Sequence, residues 1–231
     1  MALKDDLEQR VREIFKQQWT TRDGNVVPSD DSIKLSNDAV KLKATVLYAD
    51  LADSTVLVDG YKDWFAAEIY KTFLHCAAKV IAAEGGTITA YDGDRIMAVF
   101  LGDMKNTTAA RAALKINWTA KNLVQALKDQ QFPKDTFKLN HVCGIDTSDL
   151  FVAKTGIRGS NDLVWVGRAA NYAAKLAALD HNKPTWITKA VYDALETKCK
   201  ISSDGRDMWV KHTWNAMNKM EIYASTYWWR L

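Results

Sequence analysis

Two stretches, Ala44-Thr-Val-Leu-Tyr-Ala-Asp50 and Thr87-Ile-Thr-Ala-Tyr-Asp-Gly-Asp94-Arg-Ile-Met-Ala-Val-Phe100, decide how the chain folds. The first is an apolar run of strand length that stops at an acid, as a buried strand does where it meets solvent. The second holds two such runs around Asp92-Gly93, a dipeptide that favours the positive φ of a hairpin turn. Between them, 61–83 has helical spacing and closes on Glu84-Gly85-Gly86, a glycine stop. A strand over 43–51, a helix and a hairpin are therefore expected in that order.

Further along, Ala109, Ala113, Ile116, Ala120, Leu123 and Leu127 recur at helical spacing over 106–130, and Pro133 ends the run. Strands are expected at 138–146, 150–155 and 163–166, the last running into a helix that carries Asn171 and Lys175. A helix at 189–197 and strands at 208–212 and 220–223 complete the order. It predicts an α+β fold with helices packed on one sheet. Upstream, Leu7, Val11, Ile14, Phe15 and Trp19 mark the apolar stripe of an amphipathic helix over 4–19. That stripe must cover either this chain's own flank or a second copy's. The polar segment 25–41, with Pro28 and Ser29-Asp-Asp-Ser32, is expected to be an extended linker. The division is thus an N-terminal helix and linker over 1–41 and one domain over 42–231.

Composition narrows the function by exclusion. In 231 residues, 31 Lys and Arg nearly cancel 28 Asp and Glu, and no basic run forms a stripe, so nothing favours nucleic acid as a partner. Cys76, Cys143 and Cys199 are odd in number and form no CxxC pair, which suits a reducing cytoplasm. No apolar stretch has the length of a signal peptide core or a membrane span, so a soluble, cytoplasmic protein without membrane contact is expected.

Asp50 and Asp94 each stand beside a buried strand. A hard divalent cation takes one or two carboxylates and completes its shell with water and phosphate oxygens, so paired aspartates suit nucleotide chemistry. Taken singly, an Asp beside Gly is more often a plain turn residue. Asn171 and Lys175, four apart, share one helix face. Ala52-Asp-Ser-Thr55 opens a helix whose free N–H groups could seat phosphates, although Ser54 and Thr55 could equally be simple caps.

Three segments, Tyr48-Ala-Asp-Leu-Ala-Asp-Ser-Thr55, Asp92-Gly-Asp-Arg-Ile-Met-Ala98 and Gly167-Arg-Ala-Ala-Asn-Tyr-Ala-Ala-Lys175, together resemble the class III nucleotidyl cyclases. The resemblance covers about 42–225, with the motifs in the family's order. The run from Val26 through Asn37-Asp-Ala-Val40 into Thr55 is similar to the pyrimidine cyclases of bacterial Pycsar antiphage systems. The resemblance implies a ferredoxin-like βαββαβ catalytic domain with an N-terminal helical extension and C-terminal strands. It further implies a two-fold homodimer with sites between protomers, and two divalent ions, Mg²⁺ or Mn²⁺, held by Asp50, Asp94 and the Leu51 carbonyl. Asn171 matches the residue that holds the ribose. Lys175 stands where the family carries a transition-state Arg, and a point charge replaces a planar fork; Arg168 is a candidate to share that role. Arg158 and Lys211 resemble phosphate-binding cations, or are ordinary surface charges. A separate cyclic-nucleotide effector would read the product as an alarm after phage infection.

Base choice follows from what is missing. Adenylyl cyclases of this class use a lysine and an acid where this chain has Ala90 and Val164, and the guanine-reading pair is absent too. Without those partners the known purine route fails. Tyr48 falls on the same strand face as Asp50 and would shorten the pocket, while Arg95 offers only donors. Donors match the O2 and O4 acceptors of uracil, so UTP is expected as substrate, with CTP as the alternative. A regulatory module without activity, supported by Lys175 in place of Arg, and an adenylyl cyclase with unusual base recognition are the remaining readings.

Overall fold

The computed structural model describes residues 2–231. Helix α1 (Leu3–Lys16) leads to β1 (Thr20–Asp23) and the long strand β2 (Asp38–Ala52). Next come α2 (Ser54–Gly60), α3 (Asp63–Ala83), the hairpin β3 (Thr87–Asp92) and β4 (Arg95–Phe100), and α4 (Lys105–Thr119). A π-helical turn (Ala120–Val124) joins α4 to α5 (Gln125–Gln131), so the expected long helix is continuous but locally widened. Then follow β5 (Asn140–Ile157), β6 (Ser160–Val166), α6 (Arg168–Ala177), β7 (Thr185–Thr188), α7 (Lys189–Asp193), α8 (Thr197–Lys200), β8 (Val210–Trp214) and β9 (Met220–Ser225). Among the described residues no helix is long and apolar enough to cross a membrane.

The strand order β3-β4-β2-β5-β7-β9-β8 puts β2 and β5 side by side inside the sheet, and β2, α3, β3, β4, α4 and β5 form the βαββαβ core. Alternation along β2 splits the interior in two. Leu47, Ala49 and Leu51 enter the core beneath α3 and α4 with Phe73, Ile81 and Leu114. Val40, Leu42, Ala44 and Val46 enter a second core with Met97, Val99, Leu150 and Ala169, Ala170 and Ala173 of α6. Each such aliphatic or aromatic side chain contributes roughly 1.5–3 kcal/mol when buried. A buried glutamate, Glu84, locks α3 to α4 by pairing with Arg111 and, at 2.7 Å, with Lys115.

Several expectations change at the level of elements. Strands expected at 138–146 and 150–155 are one strand, β5, because it pairs with β2 without a break from Asn140 to Ala153. The last residues of the expected linker, Asp38 to Lys41, are strand, paired in parallel with β1. The polar residues there alternate with Val40 and Leu42, and the pairing supplies the hydrogen bonds. Strand β7 is a correction by addition: Thr185-Trp-Ile-Thr188 is too short to announce itself between loops, yet it is buried throughout. The hairpin turn is Gly93-Asp94, since Asp92 pairs with Arg95, and the positive φ falls on Gly93 (62°).

The outer halves of β2 and β5 leave β4 and β7 behind and carry β1 and β6 instead. Helix α6 lies so close to β5 that a Cβ on Gly144 would collide with the backbone of Ala173 and Ala177. Only glycine permits that approach.

Candidate active site

Strand β2 delivers Tyr48 and Asp50, both half-buried, to one face while Ala49 between them points into the core. The turn after β3 swings Asp94 alongside: the Leu51 N–H donates to the Asp94 carbonyl at 3.4 Å, and Arg95 is the cross-strand partner of Asp50. Burial, and then the neighbouring Asp94 charge, push the Asp50 carboxyl up to about 6, against the pull of Arg95 and the Leu51 N–H. A cation at this corner would favour the ionised form of Asp50. Among the described residues no three His, Cys, Asp or Glu side chains form a metal cage. Two carboxylates beside a strand end, with main-chain carbonyl, water and phosphate oxygens to complete the shell, would suit the coordination habit of Mg²⁺. The residues fit such an ion.

Ser54 and Thr55 are the first two residues of α2, but neither caps it. The cap position is Asp53, in the left-handed region at φ 62°, with its carboxylate accepting from Asn140 Nδ2 at 3.2 Å. Tyr70 of α3 reaches the same corner. Burial raises its pKa, the Asp94 and Asp50 charges add, and a hydrogen bond with Ser54 opposes. Nothing in the sequence marks Tyr70, because one tyrosine in a helix carries no motif.

Beside the acids lies a cavity of about 350 Å³ lined by Tyr48, Ala90, Tyr91, Asp92, Arg95, Met97 and Asp162. Arg95 is neither free nor bridged to Asp50: its Nε donates to Asp92 Oδ2 at 3.1 Å, its Nη2 donates to the same oxygen, and its guanidinium lies 6.0 Å from the Tyr48 ring centroid. The guanidinium is thus taken by Asp92, three residues back in the hairpin, and not by Asp50 or Asp94. Val164 is not among the cavity's lining residues.

Helix α6 buries Ala169, Ala170, Ala173, Leu176 and Ala177 and leaves Asn171 and Lys175 exposed on its other face. Its start is fixed from β5. Ser148 Oγ accepts from the Ala169 N–H at 2.9 Å, and Arg168 donates to both oxygens of Asp146 (2.9 and 3.2 Å) and to the Thr147 carbonyl (2.7 Å). Thr188 completes the clamp on fully buried Asp146 at 2.6 Å. Arg168 is therefore engaged with β5, which corrects the expectation that it shares the role of Lys175. Lys175 Nζ donates weakly to Met217 Sδ at 3.8 Å.

The other two cations lie apart from the acids. Arg158 sits in the exposed turn between β5 and β6. Lys211 is on β8, the opposite edge of the sheet from β3, and pairs with Glu221 of β9. The chain thus brings together Asp50, Asp94, Tyr48, Arg95, Ser54 and Leu51, while Asn171 and Lys175 lie on the exposed face of α6, Arg158 in the β5–β6 turn and Lys211 on the far edge of the sheet.

No protein-family model matches the chain. It is 55% identical over 232 residues to the uridylate cyclase of Xanthomonas perforans, covering 100% of both chains. It is 52% identical over 231 residues to that of Burkholderia cepacia, covering 99% of both. Among solved structures it resembles the guanylyl cyclase Cya2 with a TM-score of 0.66 at 17% identity, over 82% of this chain and 94% of that one.

Proposed function

The chain belongs to the uridylate cyclases and is a nucleotidyl cyclase, and we propose that it converts UTP to 3′,5′-cyclic UMP and pyrophosphate. The observation that carries the choice of base is the small cavity of Tyr48 and Arg95 beside the Asp50–Asp94 pair, walled by Ala90 where a purine reader would need a polar group. Tyr48 limits the depth of the pocket, and Arg95, held by Asp92, presents donors to the uracil oxygens.

Asp50, Asp94 and the Leu51 carbonyl would hold two divalent ions, Mg²⁺ or Mn²⁺. When bound, these ions lower the basicity of the ribose 3′-hydroxyl and neutralise charge on the phosphates. Asn171 holds the ribose, and Lys175 places its ammonium against the charge that develops on the α-phosphate as the 3′-oxygen attacks and pyrophosphate leaves. Ser54 and Thr55 at the start of α2, with Arg158 and Lys211, receive the outer phosphates. In one protomer Asn171 and Lys175 face away from the sheet that carries the acids, so the active unit is a two-fold homodimer with each site assembled across the interface. Cyclic UMP then acts in the cytoplasm as a second messenger of antiphage defence, read by a separate effector protein.

The test is incubation of purified protein with α-labelled ATP, GTP, CTP and UTP, each with Mg²⁺ and with Mn²⁺, resolving the cyclic products. Cyclic UMP alone is expected. Cyclic CMP as the main product would reassign Arg95, and cyclic AMP would overturn the pyrimidine reading.

A further inference from the structure

The cavity beside the acids contains one residue from an unexpected place. Tyr48 pairs with Gly144, and Asp162 pairs with Thr155, eleven residues along β5. On a flat sheet that separation would be roughly 36 Å at 3.3 Å per residue. Both residues nevertheless line the same 350 Å³ cavity, so the β5–β6 ribbon curls back over the sheet and contributes to the wall of the pocket.

That wall adds a second acid to a pocket whose other carboxylate, that of Asp92, is paired with Arg95. Uracil presents two acceptors, O4 and O2, on either side of a donor, N3–H. Arg95 has donors only, and Nε and Nη2 are already committed to Asp92. A base read by Arg95 alone would leave N3–H desolvated without a partner. Asp162 brings a carboxylate to the cavity wall. Its Oδ1 accepts the N–H of Leu163 at 2.7 Å, which holds the carboxylate in place.

We propose that Asp162 is a specificity-determining residue that accepts the N3–H of uracil opposite Arg95. The inference rests on the uridylate cyclase reading and adds the residue that completes recognition of the base.

Asp162→Asn is the informative variant. With its amide oxygen toward Leu163 N–H, it turns the remaining acceptor into a donor at nearly unchanged size. The expected result is a 10- to 100-fold loss of kcat/KM for UTP, carried by KM, with the CTP-to-UTP preference moving toward CTP by at least tenfold. Unmodified protein supplies a second reading: N3-methyl-UTP should inhibit at least tenfold more weakly than UTP binds. Equal loss of UTP and CTP turnover in Asp162→Asn, or equal binding of UTP and its N3-methyl analogue, would overturn the role of Asp162 alone. Absence of cyclic UMP from the unmodified enzyme would remove the broader reading with it.

Discussion

Asp50 is the residue on which most depends, and its ionisation makes a claim about stability as well as chemistry. Its carboxyl is raised from the ordinary 3.8 to about 6 by burial and by Asp94. A raised carboxyl pKa means that the metal-free fold prefers the protonated acid. That contribution is fully present below the ordinary carboxylate value and is lost as pH rises through about 6. Metal-free protein should therefore melt lower at pH 7.5 than at pH 5 by a margin that Asp50→Asn removes. At half exposure the effect should be about 1 kcal/mol, or roughly 2–4 °C in Tm. Saturating Mn²⁺ should raise the Tm of the unmodified protein and leave that of Asp50→Asn nearly unmoved. At Lys175 the prediction concerns turnover: Lys175→Ala should lower kcat by about 10²–10³ with KM little changed, the pattern of a group that acts only in the transition state. A matching rise in KM would instead make Lys175 a ground-state binding residue.

At the scale of elements, the placement of α6 decides where Asn171 and Lys175 point, and two devices set it. Arg168 neutralises a fully buried Asp146, so Arg168→Ala leaves a buried carboxylate unpaired and should cost about 3–5 kcal/mol by denaturant unfolding. A loss under 1 kcal/mol would show that the clamp is dispensable. Gly144 allows the helix backbone to rest on β5, and Gly144→Val should force the two apart, costing about 1–3 kcal/mol together with most of the activity. The same elements show what sequence reading reaches. The helix around Asn171 and Lys175 announced itself by its alanines and its four-residue spacing. The clamp did not, because Asp146, Arg168 and Thr188 are far apart in sequence and no local rule pairs them.

For the whole molecule, the separation of the acid pair from α6's exposed face makes the dimer testable without a structure of it. Asp50→Ala and Lys175→Ala should each be inactive alone. Mixed in equal amounts and allowed to exchange subunits, they should recover about a quarter of wild-type activity: half the dimers are mixed, and each mixed dimer holds one intact site of two. No recovery, from variants shown to exchange, would mean that each protomer completes its own site. Helix α1 adds a second feature at this scale: it has no buried residue, and Leu3 and Phe15 are 74% and 84% exposed. Among the described residues its apolar stripe from Leu3 to Phe15 is left exposed.

The βαββαβ order, the acids at the strand ends and the pairing of Asn171 with Lys175 on one helix face were all legible in the sequence. They depend on periodicity, turn chemistry and spacing over a few residues, which the chain carries locally. Other features had to wait for tertiary structure: the turn centred on Gly93-Asp94, the buried strand β7, the capture of Arg95 by Asp92 and of Arg168 by Asp146, and the arrival of Asp162 at the cavity that Tyr48 and Arg95 line. These arise from the bending of one long ribbon and from ion pairs that form wherever packing brings charges together. A sequence lists those charges, but only the folded chain decides which of them meet.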